Sequence, residues 1–183
     1  MTHSPFIAQS RLMSPLGPLT LAATAKGLAG VWFDGQAHHP GPIDAPEDAS
    51  QPDIAQAREE LQTYWQGRQR GAFSVRLDPQ GTPFQQRIWR ALRAIGFGRT
   101  STYSAVAEAA GCPHAARAAG AAIGRNPLSI VVPCHRVLGR DGALTGYAGG
   151  LARKQALLEL EQTDAPSAAG RAATKRRQNP GSV

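Results

Sequence analysis

Three apolar residues, Ile130-Val131-Val132, run into Pro133, and Cys134, His135 and Arg136 follow in successive positions. A short apolar run of this kind suits a buried strand or extended segment. Proline has no N–H and holds its φ fixed, so regular pairing stops at Pro133. The chain must therefore bury Ile130 to Val132 and turn at once, setting a thiol, an imidazole and a guanidinium where a buried element ends. A thiol attacks as its thiolate, and a neighbouring imidazole and positive charge favour that form. A bare Cys-His pair more often marks a small buried hydrophobe, so the rest of the chain has to decide.

Composition narrows the setting. With 183 residues, 42% hydrophobic and 18% charged, the chain suits a globular core of one ordinary domain or two small ones. It lacks a run of about 18 apolar residues for a membrane span, and no basic-then-apolar leader opens it. Cys112 and Cys134 form neither a metal nor a redox motif, so reduced thiols and a cytoplasmic setting are expected. His38 and His39 lack the cysteines or spaced carboxylates of a metal site and read as a solvated loop pair. Charge is uneven. Residues 1–81 carry six Lys/Arg against eight Asp/Glu, net −2, while residues 82–183 carry fourteen against five, net +9. A basic second half suggests a polyanion, nucleic acid first.

Phe6 to Met13, Leu19 to Thr24 and Leu28 to Phe33 read as three strands of a small antiparallel sheet. Residues 34–52, rich in Gly, Pro, Asp and His, read as a mobile loop. Asp53 to Gln66 has a helical stripe of Ile54, Ala57, Leu61, Tyr64 and Trp65, and Ala72 to Leu77 reads as a last short strand. Residues 1–77 thus form an N-terminal domain, and 78–81 a linker. A capping box, Thr82 with Gln85, opens the next helix behind Pro83. Thr102 caps a helix from Tyr103 to Ala110, and Cys112 stands at the cap of another from His114 to Ile123. This pair is a helix-turn-helix candidate. Its second helix surrounds Arg117 with small residues, Ala116 and Ala118 beside it, a shape suited to close approach to a narrow DNA groove. A hairpin-like turn at residues 139–142, a glycine-rich loop at 144–150 and a helix from Leu151 to Glu161 follow. The domain spans 82–162, and the small, polar, basic residues 163–183 read as a disordered tail.

Taken together, Pro133-Cys134-His135-Arg136-Val137, Gly124-Arg125-Asn126-Pro127 and Gly146-Tyr147-Ala148-Gly149-Gly150 resemble the O6-alkylguanine-DNA alkyltransferases, also called methylated-DNA–protein-cysteine methyltransferases. Lys154, Leu157-Leu158, Glu161, Thr82 to Gln86 and Trp89 continue the likeness, which is close over 82–161 and looser over 5–77.

The resemblance implies an α/β protein: a ribonuclease H-like domain with a three-stranded antiparallel sheet, then a winged helix-turn-helix-like domain. It implies a monomer that acts on double-stranded DNA containing alkylated guanine, with O4-alkylthymine a further candidate substrate, and no cofactor, metal or membrane. The damaged base is flipped from the minor groove and its alkyl group passes once, irreversibly, to Cys134. His135 takes the thiol proton, Glu161 orients His135, Asn126 holds the turn and Tyr103 donates to the leaving base. Arg117 fills the gap in the stack. Ala116, Ala118, Arg136, Val137, Tyr147, Ala148 and Lys154 complete the DNA and base contacts; Arg136 alternatively ties loops together, and Lys154 alternatively supports the pocket or is ordinary surface. Ala148 stands where relatives often carry serine, which bears on substrate range. A DNA lesion sensor without turnover and a cysteine hydrolase are the rival readings.

Overall fold

The computed structural model describes residues 5–163. Three strands, β1 (Ala8–Ser14), β2 (Gly17–Thr24) and β3 (Gly27–Phe33), form an antiparallel sheet in the order β1-β2-β3. Helix α1 (Pro52–Trp65) packs on this sheet with Ile54, Ala57, Leu61 and Tyr64 buried. Every residue of β3 is buried although the strand lies at the sheet's edge. Its free side is covered by residues 76–78 at Leu28 and from the C-terminal half at Val31, where Val31 donates to the Pro127 carbonyl at 2.8 Å and Ser129 N–H to the Val31 carbonyl at 2.9 Å. An exposed edge row of backbone groups invites foreign pairing, and these contacts remove it.

The second half is helical: α2 (Pro83–Leu92), α3 (Tyr103–Ala109), α4 (Ala116–Gly124) and α5 (Leu151–Thr163), with a short parallel pair, β4 (Ser101–Thr102) on β5 (Val137–Leu138). The capping box at Thr82 and Gln85 is present, and Ile88, Trp89 and Leu92 are the buried face of α2. Trp89 Nε1–H donates to the Ala122 carbonyl at 2.8 Å, pinning α2 to α4. One apolar cluster, including Leu21, Phe33, Leu61, Leu92, Val106, Ile123 and Leu157, runs through both halves.

Three sequence expectations need correction. Residues 72–77 make no strand; they run beside β3 with a single rung, Leu28 to Leu77. At Gly27 the backbone comes so close that an added Cβ would lie 2.7 Å from the Arg76 carbonyl oxygen. Helix α4 begins at Ala116, and Ala115 caps it without a side-chain bond. Cys112 instead closes α3. Gly111 is left-handed at φ +74, and the Cys112 N–H returns to the Ala107 carbonyl at 2.8 Å, satisfying carbonyls the helix end would strand. The Ile130 to Val132 segment is buried but is not a strand. It is a chain of tight turns, with Val131 N–H bonded to Ser129 O, Val132 N–H to Leu128 O and Cys134 N–H to Val132 O. Ile130 takes φ +73, which is costly for a β-branched residue and persists only where surrounding packing enforces it. The expected tail, from residue 164 onward, lies outside the described residues.

Candidate active site

Pro133 introduces a single 3-10 turn, Cys134–Arg136, with all three residues buried. Asn126 holds the segment ahead of it. Its Nδ2 donates to the Val132 carbonyl at 2.8 Å, to Cys134 Sγ at 3.1 Å and to the Leu128 carbonyl at 3.3 Å. Its Oδ1 accepts Leu128 N–H at 3.1 Å, so one amide fixes both the loop and the thiol. After the turn, the β5–β4 pairing ties Val137 to Ser101 and Leu138 to Thr102, and thereby sets the position of Tyr103 at the start of α3.

His135 has no exposed surface, and its Nε2 lies 2.8 Å from Glu161 Oε1, brought from α5. Because that nitrogen faces a carboxylate it carries the proton, and Nδ1 is the basic nitrogen. Nδ1 is buried with no hydrogen-bond partner among the described residues. Arg136 holds Glu161 from the other side, Nε to Oε2 at 2.8 Å and Nη2 to Oε1 at 2.9 Å, and Nη1 donates to the Ile95 carbonyl at 2.5 Å. Tyr64 donates to Oε1 at 2.9 Å and Gly98 N–H to Oε2 at 3.2 Å.

A cavity of about 220 Å³ lies between α4 and the glycine-rich loop, lined by Tyr103, Gly120, Tyr147, Ala148 and, from the N-terminal half, His38. Tyr103 donates to the Thr145 carbonyl at 2.9 Å. Ala37 N–H donates to the Ala148 carbonyl at 2.9 Å, so the loop after β3 is fastened to the cavity's mouth. On α4, Arg117 and Ala118 are exposed, Ala116 is half-buried, and Ala119, Ala122 and Ile123 face inward.

The chain is similar to known proteins along most of its length. The family model described as 6-O-methylguanine DNA methyltransferase, DNA binding domain, matches residues 83–163, and its ribonuclease-like domain matches residues 7–79. The methylated-DNA–protein-cysteine methyltransferase of Mycobacterium bovis is 46% identical over 154 residues, which is 84% of this chain and 92% of that protein. Its counterpart in Methanosarcina barkeri is 43% identical over 152 residues, 82% of this chain and 94% of that one. The crystal structure of Mycobacterium tuberculosis OGT in complex with DNA superposes with a TM-score of 0.78 at 43% identity, covering 88% of this chain and 96% of that one. The chain belongs to the methylated-DNA–protein-cysteine methyltransferase family.

In this methyltransferase, burial sets the resting charge of the site. Desolvation pushes the Cys134 thiol up from 9.0, against the Asn126 hydrogen bond and the Lys154 charge. Desolvation likewise pushes His135 below 6.5, against the Glu161 bond. Burial alone would raise Glu161, yet the hydrogen bonds and charges of His135 and Arg136 hold it down at about 2. Thiol and imidazole therefore rest neutral beside a fixed carboxylate–guanidinium pair. Lys154, brought down to about 8 by desolvation, supplies a nearby positive charge.

The structure brings Cys134, His135, Glu161 and Asn126 together, and gathers Tyr103, Tyr147 and Ala148 around one cavity. Two residues named as DNA contacts take the inward placements that the sequence left open as alternatives, Arg136 tying segments together and Lys154 supporting the pocket. Arg136 is buried on Glu161, and Lys154 is fully buried with Nζ donating to the carbonyls of Val137 at 2.5 Å and Thr145 at 2.6 Å. Val137 is itself buried. Tyr64, Gly98 and His38 were not legible as site residues. An aromatic in a helical stripe looks like core, and a glycine N–H or a loop histidine carries no pattern.

Proposed function

We propose that this methyltransferase repairs double-stranded DNA by taking the alkyl group of O6-alkylguanine irreversibly onto Cys134, once per molecule. The observation that carries this reading is the buried Cys134 thiol held by Asn126 beside a His135–Glu161 pair. It acts as a cytoplasmic monomer of two domains, 1–77 and 82–162. The small, exposed face of α4 around Arg117 lies in the minor groove, and the lesion is rotated out of the stack, since its alkyl carbon is unreachable in the duplex. Arg117 occupies the space left behind. The base enters the cavity lined by Tyr103, Tyr147 and Ala148.

The chemistry balances without a cofactor. The Cys134 proton passes through a water to His135 Nδ1, the nitrogen not engaged by Glu161. The thiolate attacks the alkyl carbon, a C–S bond forms, the C–O6 bond breaks and its electron pair returns to guanine. Tyr103 passes its proton to guanine N3, so the base leaves neutral, and the proton that His135 took returns through solvent to the tyrosinate, which closes the balance. Glu161 stabilises the imidazolium, with Arg136 keeping the carboxylate ionised. The alkyl carbon of a thioether is a poor electrophile, because the thiolate leaves it reluctantly, so the cycle stops there.

Intact mass after incubation with a duplex containing O6-methylguanine tests the reading. One added methyl group, mapped to Cys134, is expected; binding with no mass change would favour a lesion sensor, and repeated turnover of esters a hydrolase. A parallel O4-methylthymine duplex defines substrate range.

A further inference from the structure

Tyr64 stands on α1, in the N-terminal half, and is 1% exposed. Its ring packs edge-on against Trp65 and Phe97, at centroid distances of 5.2 and 6.2 Å. Packing alone would be served by phenylalanine, which needs no partner for a hydroxyl. Instead the hydroxyl donates at 2.9 Å to Glu161 Oε1, the same oxygen that faces His135 Nε2 at 2.8 Å and Arg136 Nη2 at 2.9 Å. We propose that Tyr64 is a positioning residue of the alkyl-transfer site: by sharing Glu161 Oε1 with His135 it divides that oxygen's charge and keeps Cys134 and His135 in their neutral resting form.

The inference rests on the relay proposed above. The charged and titratable groups around it are Tyr64 from α1, Cys134, His135 and Arg136 from the turn, Tyr147 from the glycine-rich loop, and Lys154 and Glu161 from α5. Glu161 favours the imidazolium, while Arg136 and Lys154 oppose it. Tyr64 takes up part of the Glu161 charge and so acts on the side of the cations. Burial and the Glu161 charge raise the phenol well above its ordinary range, so it stays a donor. For a protein that uses its sulfur once, a thiol kept neutral until the cavity is filled is not spent on stray electrophiles.

Tyr64→Phe keeps the ring and removes the donor. Iodoacetamide alkylation of Cys134, mapped by peptide mass from acid to alkaline pH on protein shown folded by its melt, reads the thiol directly. A larger share of the Glu161 Oε1 charge then falls on His135, so alkylation at neutral pH rises about threefold or more and the pH profile moves towards acid. Site-specific 3-fluorotyrosine at position 64, a stronger donor of similar size, moves the profile towards alkali. A packing role moves neither, and unmoved profiles overturn the proposal. Where Tyr64→Phe does not fold, the fluorotyrosine arm alone decides. The unmodified protein is assayed in the same series for transfer from O6-benzylguanine. Its failure there removes the relay reading itself, whereas transfer with an unmoved Tyr64→Phe profile removes only the role of Tyr64.

Discussion

Asn126 Nδ2 stands 3.1 Å from Cys134 Sγ and 2.8 Å from the Val132 carbonyl, so one buried amide sets both the thiol and the turn that carries it. Replacing Asn126 by Ala strands Leu128 N–H in the interior, where an orphaned donor is costly, and takes the amide's hydrogen bonds from the Cys134 thiol and from the Val132 carbonyl, which keeps only Cys134 N–H. Asn126→Ala should lose about 2–3 kcal/mol of stability in denaturant titration and slow alkyl transfer. A loss under about 0.5 kcal/mol would show that the amide is not the clamp.

Arg136 and Glu161 are both buried, at 7% and 1% exposure. Removing the guanidinium leaves a carboxylate facing only neutral donors. Arg136→Ala should cost about 3–5 kcal/mol, far more than the loss of a surface ion pair, and its DNA affinity should fall only as far as folding does. If the folded variant instead lost affinity for DNA selectively, Arg136 would have to be an interface residue.

Acid should unfold the protein in two stages. His135 sits below its ordinary 6.5. Glu161 sits at about 2, below its ordinary 4.5. For both groups the unfolded chain binds the proton more tightly, so their stabilisation is complete above the ordinary value and drains as pH falls. The His135 share goes first, below 6.5, and the Glu161 share between 4.5 and about 2. Melting temperature against pH should show both declines, and Glu161→Gln should abolish the second.

Arg117 is exposed on α4, whereas the Cys134 turn is buried. If it fills the vacated stack, Arg117→Ala should slow transfer from duplex DNA tenfold or so, about 1.4 kcal/mol, while leaving transfer from free O6-benzylguanine within about twofold. Equal losses in the two assays would assign Arg117 to the fold instead.

How far the sequence reached depended on how local the cause was. The α2 start was readable because Thr82, Pro83 and Gln85 signal to one another within one turn. The α4 start was not: Cys112 had two neighbours to serve, and closing α3 through Gly111 won over opening α4. The apolar Ile130 to Val132 run gave burial correctly but not conformation, since the left-handed Ile130 is imposed by packing. Cys134 and His135 stood out from the motif itself and their roles were decided by a resemblance, whereas Glu161 was read from the resemblance alone. The Tyr64–Glu161 contact spans 97 positions and joins the two halves, and nothing in the periodicity of α1 separates Tyr64 from ordinary core. Lys154 stayed open between DNA contact, pocket support and ordinary surface, because lysine in a helix defaults to the surface and its turn onto Val137 and Thr145 is set by packing.

The most direct measurement is stoichiometry. A large excess of O6-methylguanine duplex is given to a known amount of protein, and free guanine-containing product is counted against S-methylcysteine recovered from the Cys134 peptide. Restored guanine should plateau at one per protein, matched one to one by methylated Cys134, with Cys134→Ser giving none. Product that keeps accumulating past one per protein, or repair by Cys134→Ser, would contradict the account.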